Sequence, residues 1–75
     1  MVTLTRGPNW KIAVYGREHG VPHFHIEGRD FRASVGIESL DLIIGTVPGK
    51  VFAEATKWAA DNQAVLISNW QELNG

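Results

Sequence analysis

The apolar residues of this chain change period once, at Pro48, and that change limits the folds open to it. Before it, apolar and polar residues alternate, as in half-buried strands. Trp10, Ile12 and Val14 alternate with Lys11, Ala13 and Tyr15. Phe24 and Ile26 alternate with His23, His25 and Glu27. Phe31, Ala33, Val35 and Ile37 alternate with Arg32, Ser34 and Glu38. Gly7-Pro8-Asn9 marks a turn, so Val2–Thr5 is expected as a short edge strand, and Gly28-Arg29-Asp30 reads as a tight hairpin. Leu40, Leu42 and Ile44 continue as a further strand that Gly45 ends. Pro48 then opens a helical pattern at a favoured first-turn position. Val51, Phe52, Ala55, Trp58, Ala59, Leu66, Trp70 and Leu73 recur at three and four residues and form one apolar stripe. Asp61-Asn62 is either a kink in one helix or the cap of a second.

These patterns predict a single α+β domain over residues 1–75, an antiparallel sheet of three to five strands packed on one face by a C-terminal helix or helix pair. Phe24, Ile26, Phe31, Ala33 and Val35 should face the helical stripe. Residues two apart on a strand point the same way, so His23, His25 and Glu27 should share the opposite face. Either register of the hairpin puts Arg32 across from His25 or Glu27.

A core this small is marginal, and such domains often depend on a disulfide, a metal or a partner chain. The 75 residues include no cysteine. Disulfides and thiolate metal sites are therefore excluded, and a histidine-bound metal, a second subunit or close packing remains. Three tryptophans are many for such a core, so an interface Trp and a homodimer are also expected. The N-terminus lacks a signal-peptide pattern and no apolar run could span a bilayer, so the expected location is cytoplasmic, with no membrane partner.

All three histidines fall within Glu18-His19-Gly20-Val21-Pro22-His23-Phe24-His25-Ile26-Glu27. Three readings stay open. As a metal site, His23 and His25 project side by side from a strand, His19 could add a third nitrogen and Glu18 or Glu27 a carboxylate, leaving an open position on a divalent ion such as zinc. As a metal-free site, His19, His23 and His25 could divide acid and base roles on RNA or another phosphodiester, with Arg32 or Arg29 holding the phosphate and stabilising its charge. The third reading is structural, with the imidazoles lining an exposed face or an interface. Formal net charge is −1, which does not indicate a strong nonspecific nucleic-acid binder. Residues 1–37 nonetheless hold five Lys/Arg against three Asp/Glu, while the remainder hold two against five.

The histidine run, with Ile12-Ala13-Val14-Tyr15 before it and Leu66-Ile67-Ser68-Asn69-Trp70 after it, resembles a bacterial domain family of unknown function, number 4160 in that series. The family pattern is Glu-His-x-x-Pro-His-x-His-aliphatic. Many members carry Pro-Pro where this chain has Val21-Pro22. The resemblance implies a small cognate protein encoded nearby, as in two-gene modules of the toxin–antitoxin kind, and an RNA-directed activity. By position, the family's recurrent polar residues are His19, His23 and His25, with Glu18 beside them.

Overall fold

The computed structural model describes all 75 residues. Five strands, β1 (Val2–Arg6), β2 (Trp10–Val14), β3 (His23–Gly28), β4 (Arg32–Gly36) and β5 (Leu42–Thr46), form an antiparallel meander in sequence order. Helices α1 (Gly49–Asp61) and α2 (Gln63–Asn74) follow. The α+β architecture, the five-strand limit and the helix pair agree with the sequence patterns.

Phe24, Ile12, Ile26, Val14, Val35 and Ile37 are buried with Ala55 and Ala59 of α1 and Leu66 and Trp70 of α2. Trp10, Phe31 and Trp58 are half-buried against this core. At Asn62 the backbone leaves helical geometry (φ −134°, ψ 26°), which separates the helices. The Asn62 side chain donates back to the Trp58 carbonyl at 2.8 Å, and its own carbonyl accepts from Leu66 N–H at 3.0 Å. The chain therefore turns within one residue while the apolar stripe keeps its phase.

Helix α2 crosses the end of the sheet where β2 and β4 finish and β3 begins. Its first residue, Gln63, donates to the Ile37 carbonyl at 2.8 Å. Its last, Asn74, donates to the Tyr15 carbonyl at 3.0 Å and accepts from Glu18 N–H at 2.8 Å. Trp70 lies between these anchors.

Three local expectations are corrected. Gly45 lies inside β5 instead of ending it; its positive φ of 97° accompanies a register shift between β4 and β5. Leu40 is not a strand residue: it occupies the preceding turn with φ 60°. The apolar side chains of Leu42, Ile43 and Ile44 are all exposed, because β5 is an edge strand that the helices do not cover. Pro48 sits one position before α1, at its N-cap, and its carbonyl accepts from Phe52 N–H.

Residues directly across a ladder share a face of the sheet, so the register fixes what lies beside the histidines. Thr3, Ala13, His25, Ser34 and Ile44 form one continuous row across all five strands. Arg6, Lys11, Glu27, Arg32 and Thr46 form the next row on the same face, two residues along β2 to β5 and, across a register shift in β1, three residues along from Thr3. Of the two registers open to Arg32, the structure takes the pairing with Glu27.

Candidate metal centre

The histidines occupy different environments. His25 is at the centre of the sheet and only 7% exposed, although it faces away from the main core. Ala13, its partner on β2, is fully buried on the same side, and the Tyr15 ring meets the imidazole edge-on with centroids 4.8 Å apart. This face, expected to be open, is thus partly closed around His25. His23, at the start of β3, is covered by Trp70, whose ring centroid lies 4.8 Å away. His19 is exposed in the loop joining β2 to β3. It borders the same groove as Glu18, His23 and His25, but its ring is not in the group whose ligand atoms converge.

That group is Glu18, His23 and His25, with one potential ligand atom from each and all three within 4.8 Å of one another. A single oxygen, Glu18 Oε1, faces both imidazoles: His25 Nε2 at 2.7 Å and His23 Nε2 at 3.4 Å. The hydrogen bond from His25 is the main cause that holds the Glu18 carboxyl below its ordinary pKa, against an opposing effect of burial. An ionised carboxylate can only accept, so His25 presents Nε2–H to it. In the neutral ring Nδ1 then accepts from the Ser34 hydroxyl at 3.3 Å.

His23 is fixed in the opposite sense. Its Nδ1 lies 2.8 Å from the Val21 carbonyl, which can only accept, so Nδ1 carries a hydrogen. In the neutral ring Nε2 is left with a lone pair pointing at the carboxylate. Backbone carbonyls commonly orient metal-binding histidines in this way. The Glu18 backbone is held by Asn74 from the far end of the chain.

The adjoining row is tied together by Glu27. Its carboxylate accepts from the Tyr15 hydroxyl, 2.7 and 2.9 Å from its two oxygens, and pairs with Arg32 Nε at 2.9 Å and Lys11 Nζ at 3.8 Å. The Arg32 guanidinium also lies over the Tyr15 ring, 5.3 Å from its centroid. Burial is the main cause that raises the Tyr15 pKa, and its hydrogen bond to Glu27 adds to it. Arg32 does not touch the imidazoles, but it lines one groove with Glu18, His25 and Ser34.

Glu18, His23 and His25 stand out in the sequence as residues of this site, whereas Tyr15, Ser34, Trp70 and Asn74 do not, and Glu27, the other carboxylate open as a ligand, lies outside the converging group. Tyr15 and Ser34 follow the same alternation as His25, so strand period could have found them. Trp70 and Asn74 arrive from a helix some fifty residues downstream, and no local pattern announces them.

No curated protein and no solved structure gives a significant match to this chain. One family profile, described as a domain of unknown function, DUF4160, matches residues 9–71. That span holds the histidine run, the strands around it and nearly all of both helices, and the chain belongs to the DUF4160 family.

Proposed function

We propose that this protein is a divalent-metal-binding domain whose ligands are Glu18, His23 and His25. The observation that carries the reading is the convergence of two imidazole Nε2 atoms on one carboxylate oxygen. A neutral His23 would aim a lone pair at an anion, and a cation between them removes that repulsion. Tetrahedral zinc with ligands at about 2.0–2.1 Å separates its donor atoms by roughly 3.4 Å, close to the Glu18–His23 spacing of 3.4 Å. The Glu18–His25 contact of 2.7 Å has to widen on binding. His25 then shifts its proton to Nδ1, where the Ser34 hydroxyl can accept it. Two imidazoles and a carboxylate suit zinc or iron and leave a position open to water or a small ligand.

Calorimetric titration of chelator-treated, untagged protein with zinc tests this. One ion per chain is expected, with heat that does not depend on the buffer's ionisation enthalpy where His25 is neutral, because its proton moves from Nε2 to Nδ1 and stays on the ring. His23→Ala and His25→Ala should each abolish binding. Absence of binding, or binding that survives both substitutions, overturns the proposal.

A second reading concerns a partner. Leu42, Ile43 and Ile44 expose apolar side chains on an edge strand, and Ile43 and Ile44 border the histidine groove. Unpaired edge strands readily accept another chain. This favours the two-gene module that the family resemblance implies, with the cognate small protein seated on β5. Co-purification with the neighbouring gene product, lost in Ile44→Lys, is the expected result. Unchanged co-purification of that variant removes β5 from the interface, and self-association in sedimentation assigns the edge to a homodimer instead.

A further inference from the structure

Four of the chain's seven Lys/Arg residues, Arg6, Lys11, Arg29 and Arg32, line one open groove of about 570 Å³ at the hairpin-turn end of the sheet. Only one carboxylate, Glu27, accompanies them. A protein of net charge −1 thus gathers a strongly positive surface in one place. Arg6, Lys11 and Arg32 belong to the cross-strand row beside the His25 row, and Arg29 extends it from the turn between β3 and β4. The charges of Arg6 and Arg29 are unpaired, while Lys11 and Arg32 share Glu27. From β1 to β4 is three inter-strand steps, about 14 Å at roughly 4.8 Å each. One phosphate cannot meet cations spread over that distance, but an extended polyanion can. Trp10 and Phe31 contribute half-buried aromatic surface to the same groove, the companion that single-stranded nucleic-acid sites use for bases.

We propose that this charged row is a binding surface for the phosphodiester backbone of single-stranded nucleic acid. The strand crosses β1 to β4 with its phosphates on Arg6, Lys11, Arg29 and Arg32. Arg32 also lines the groove that holds Glu18 and His25, so the path continues toward the histidines. The surface does not depend on a metal at Glu18.

Fluorescence anisotropy with labelled oligouridylate and oligothymidylate dodecamers, in the presence of chelator, tests the proposal. Binding of at least one probe is expected, and the ratio of the two reports whether RNA or DNA is preferred. Each phosphate neutralised on a single strand contributes about −0.7 to the slope of log K against log salt, so four contacts give about −3. Arg6→Gln with Arg29→Gln should weaken binding at least tenfold and halve that slope. Neither side chain is hydrogen-bonded or ion-paired, so the circular dichroism of this variant should match wild type. Glu27→Gln acts in the opposite direction and should tighten binding several-fold. No binding of either probe overturns the proposal, as does a double variant that folds and binds like wild type. Inorganic polyphosphate of equal charge, if bound as tightly as the oligonucleotides, shows a general polyanion surface and overturns the nucleic-acid assignment. Failure of zinc to bind leaves this result untouched, so the two proposals fail separately.

Discussion

The ring of His23 packs on the indole of Trp70, with centroids 4.8 Å apart and planes tilted by 53°. One side of Trp70 therefore closes the main core, where the residue is 7% exposed, and the other supports a proposed metal ligand. The contact couples stability to site geometry. Trp70→Ala should cost about 3–5 kcal/mol, the range for removing a large buried aromatic. Trp70→Phe should fold but hold His23 less firmly, with zinc affinity about tenfold weaker, as for other groups that orient a ligand. Urea unfolding and calorimetry measure the two effects. A Phe variant with wild-type affinity would show that the Val21 carbonyl alone orients the ring.

Tyr15 is the chain's one tyrosine, so its ionisation can be followed directly by phenolate absorbance. Burial, then the Glu27 hydrogen bond, raise its pKa above the ordinary 10.0. A raised pKa favours the protonated, folded form. This contribution to stability is complete below pH 10 and is lost as pH climbs through the folded-state value. In metal-free protein the phenol should titrate above 10.0. In Glu27→Gln it should move back only part of the way, since burial remains. A titration at the ordinary value in wild-type protein would show that water reaches the hydroxyl freely.

Glu18 has the opposite sign. Its carboxyl is lowered from the ordinary 4.5, chiefly by the His25 hydrogen bond. A depressed pKa gives stability that is present above pH 4.5 and lost as pH falls through the folded-state value. The stability difference between metal-free wild type and Glu18→Gln, from urea unfolding, should be largest above that pH and shrink in more acid solution. A difference that does not change with pH would mean that Glu18 acts only through packing.

The alternation along β2, β3 and β4 made most of the sheet legible, because each strand has one face on the helices and the period of two records it. It also put His23 and His25 on one face and limited Arg32 to two partners. Strand β5 was harder to read. It is a bare edge with no buried face to impress a pattern, and its apolar side chains point to solvent. Gly45 looked like a terminator because glycine often ends strands, whereas here its φ of 97° lets β5 pass close to β4. The burial of His25 was also hidden. It depends on Ala13 of β2 and Tyr15 just beyond that strand, and on the loop that carries Glu18.

That loop is held by Asn74, the last residue of α2, which accepts from Glu18 N–H at 2.8 Å and donates to the Tyr15 and Trp70 carbonyls at 3.0 and 3.1 Å. Asn74→Ala should leave these groups without their partner and cost about 1–3 kcal/mol. Hydrogen exchange should quicken at Glu18 before the sheet core opens, since the loop loses its side-chain hydrogen bonds to α2. Zinc affinity should fall with it, and unchanged exchange at Glu18 would show that the loop holds its shape without the helix.

Gly45 gives the sharpest test of the edge strand. A Cβ there would overlap the Arg32 carbonyl oxygen and lie 2.8 Å from Ala33 Cα, both of them backbone atoms of β4 that cannot swing aside. The positive φ adds a conformational cost of about 1–3 kcal/mol for a residue with a side chain. Gly45→Ala should therefore detach β5 from β4 while the other four strands and both helices stay folded. Amide protection should disappear across Leu42–Thr46 and persist in β2 and β3. The groove beside His25 would lose its Ile44 wall in the same step. Retained protection along β5 would mean that the β4–β5 ladder can absorb the methyl by shifting register again.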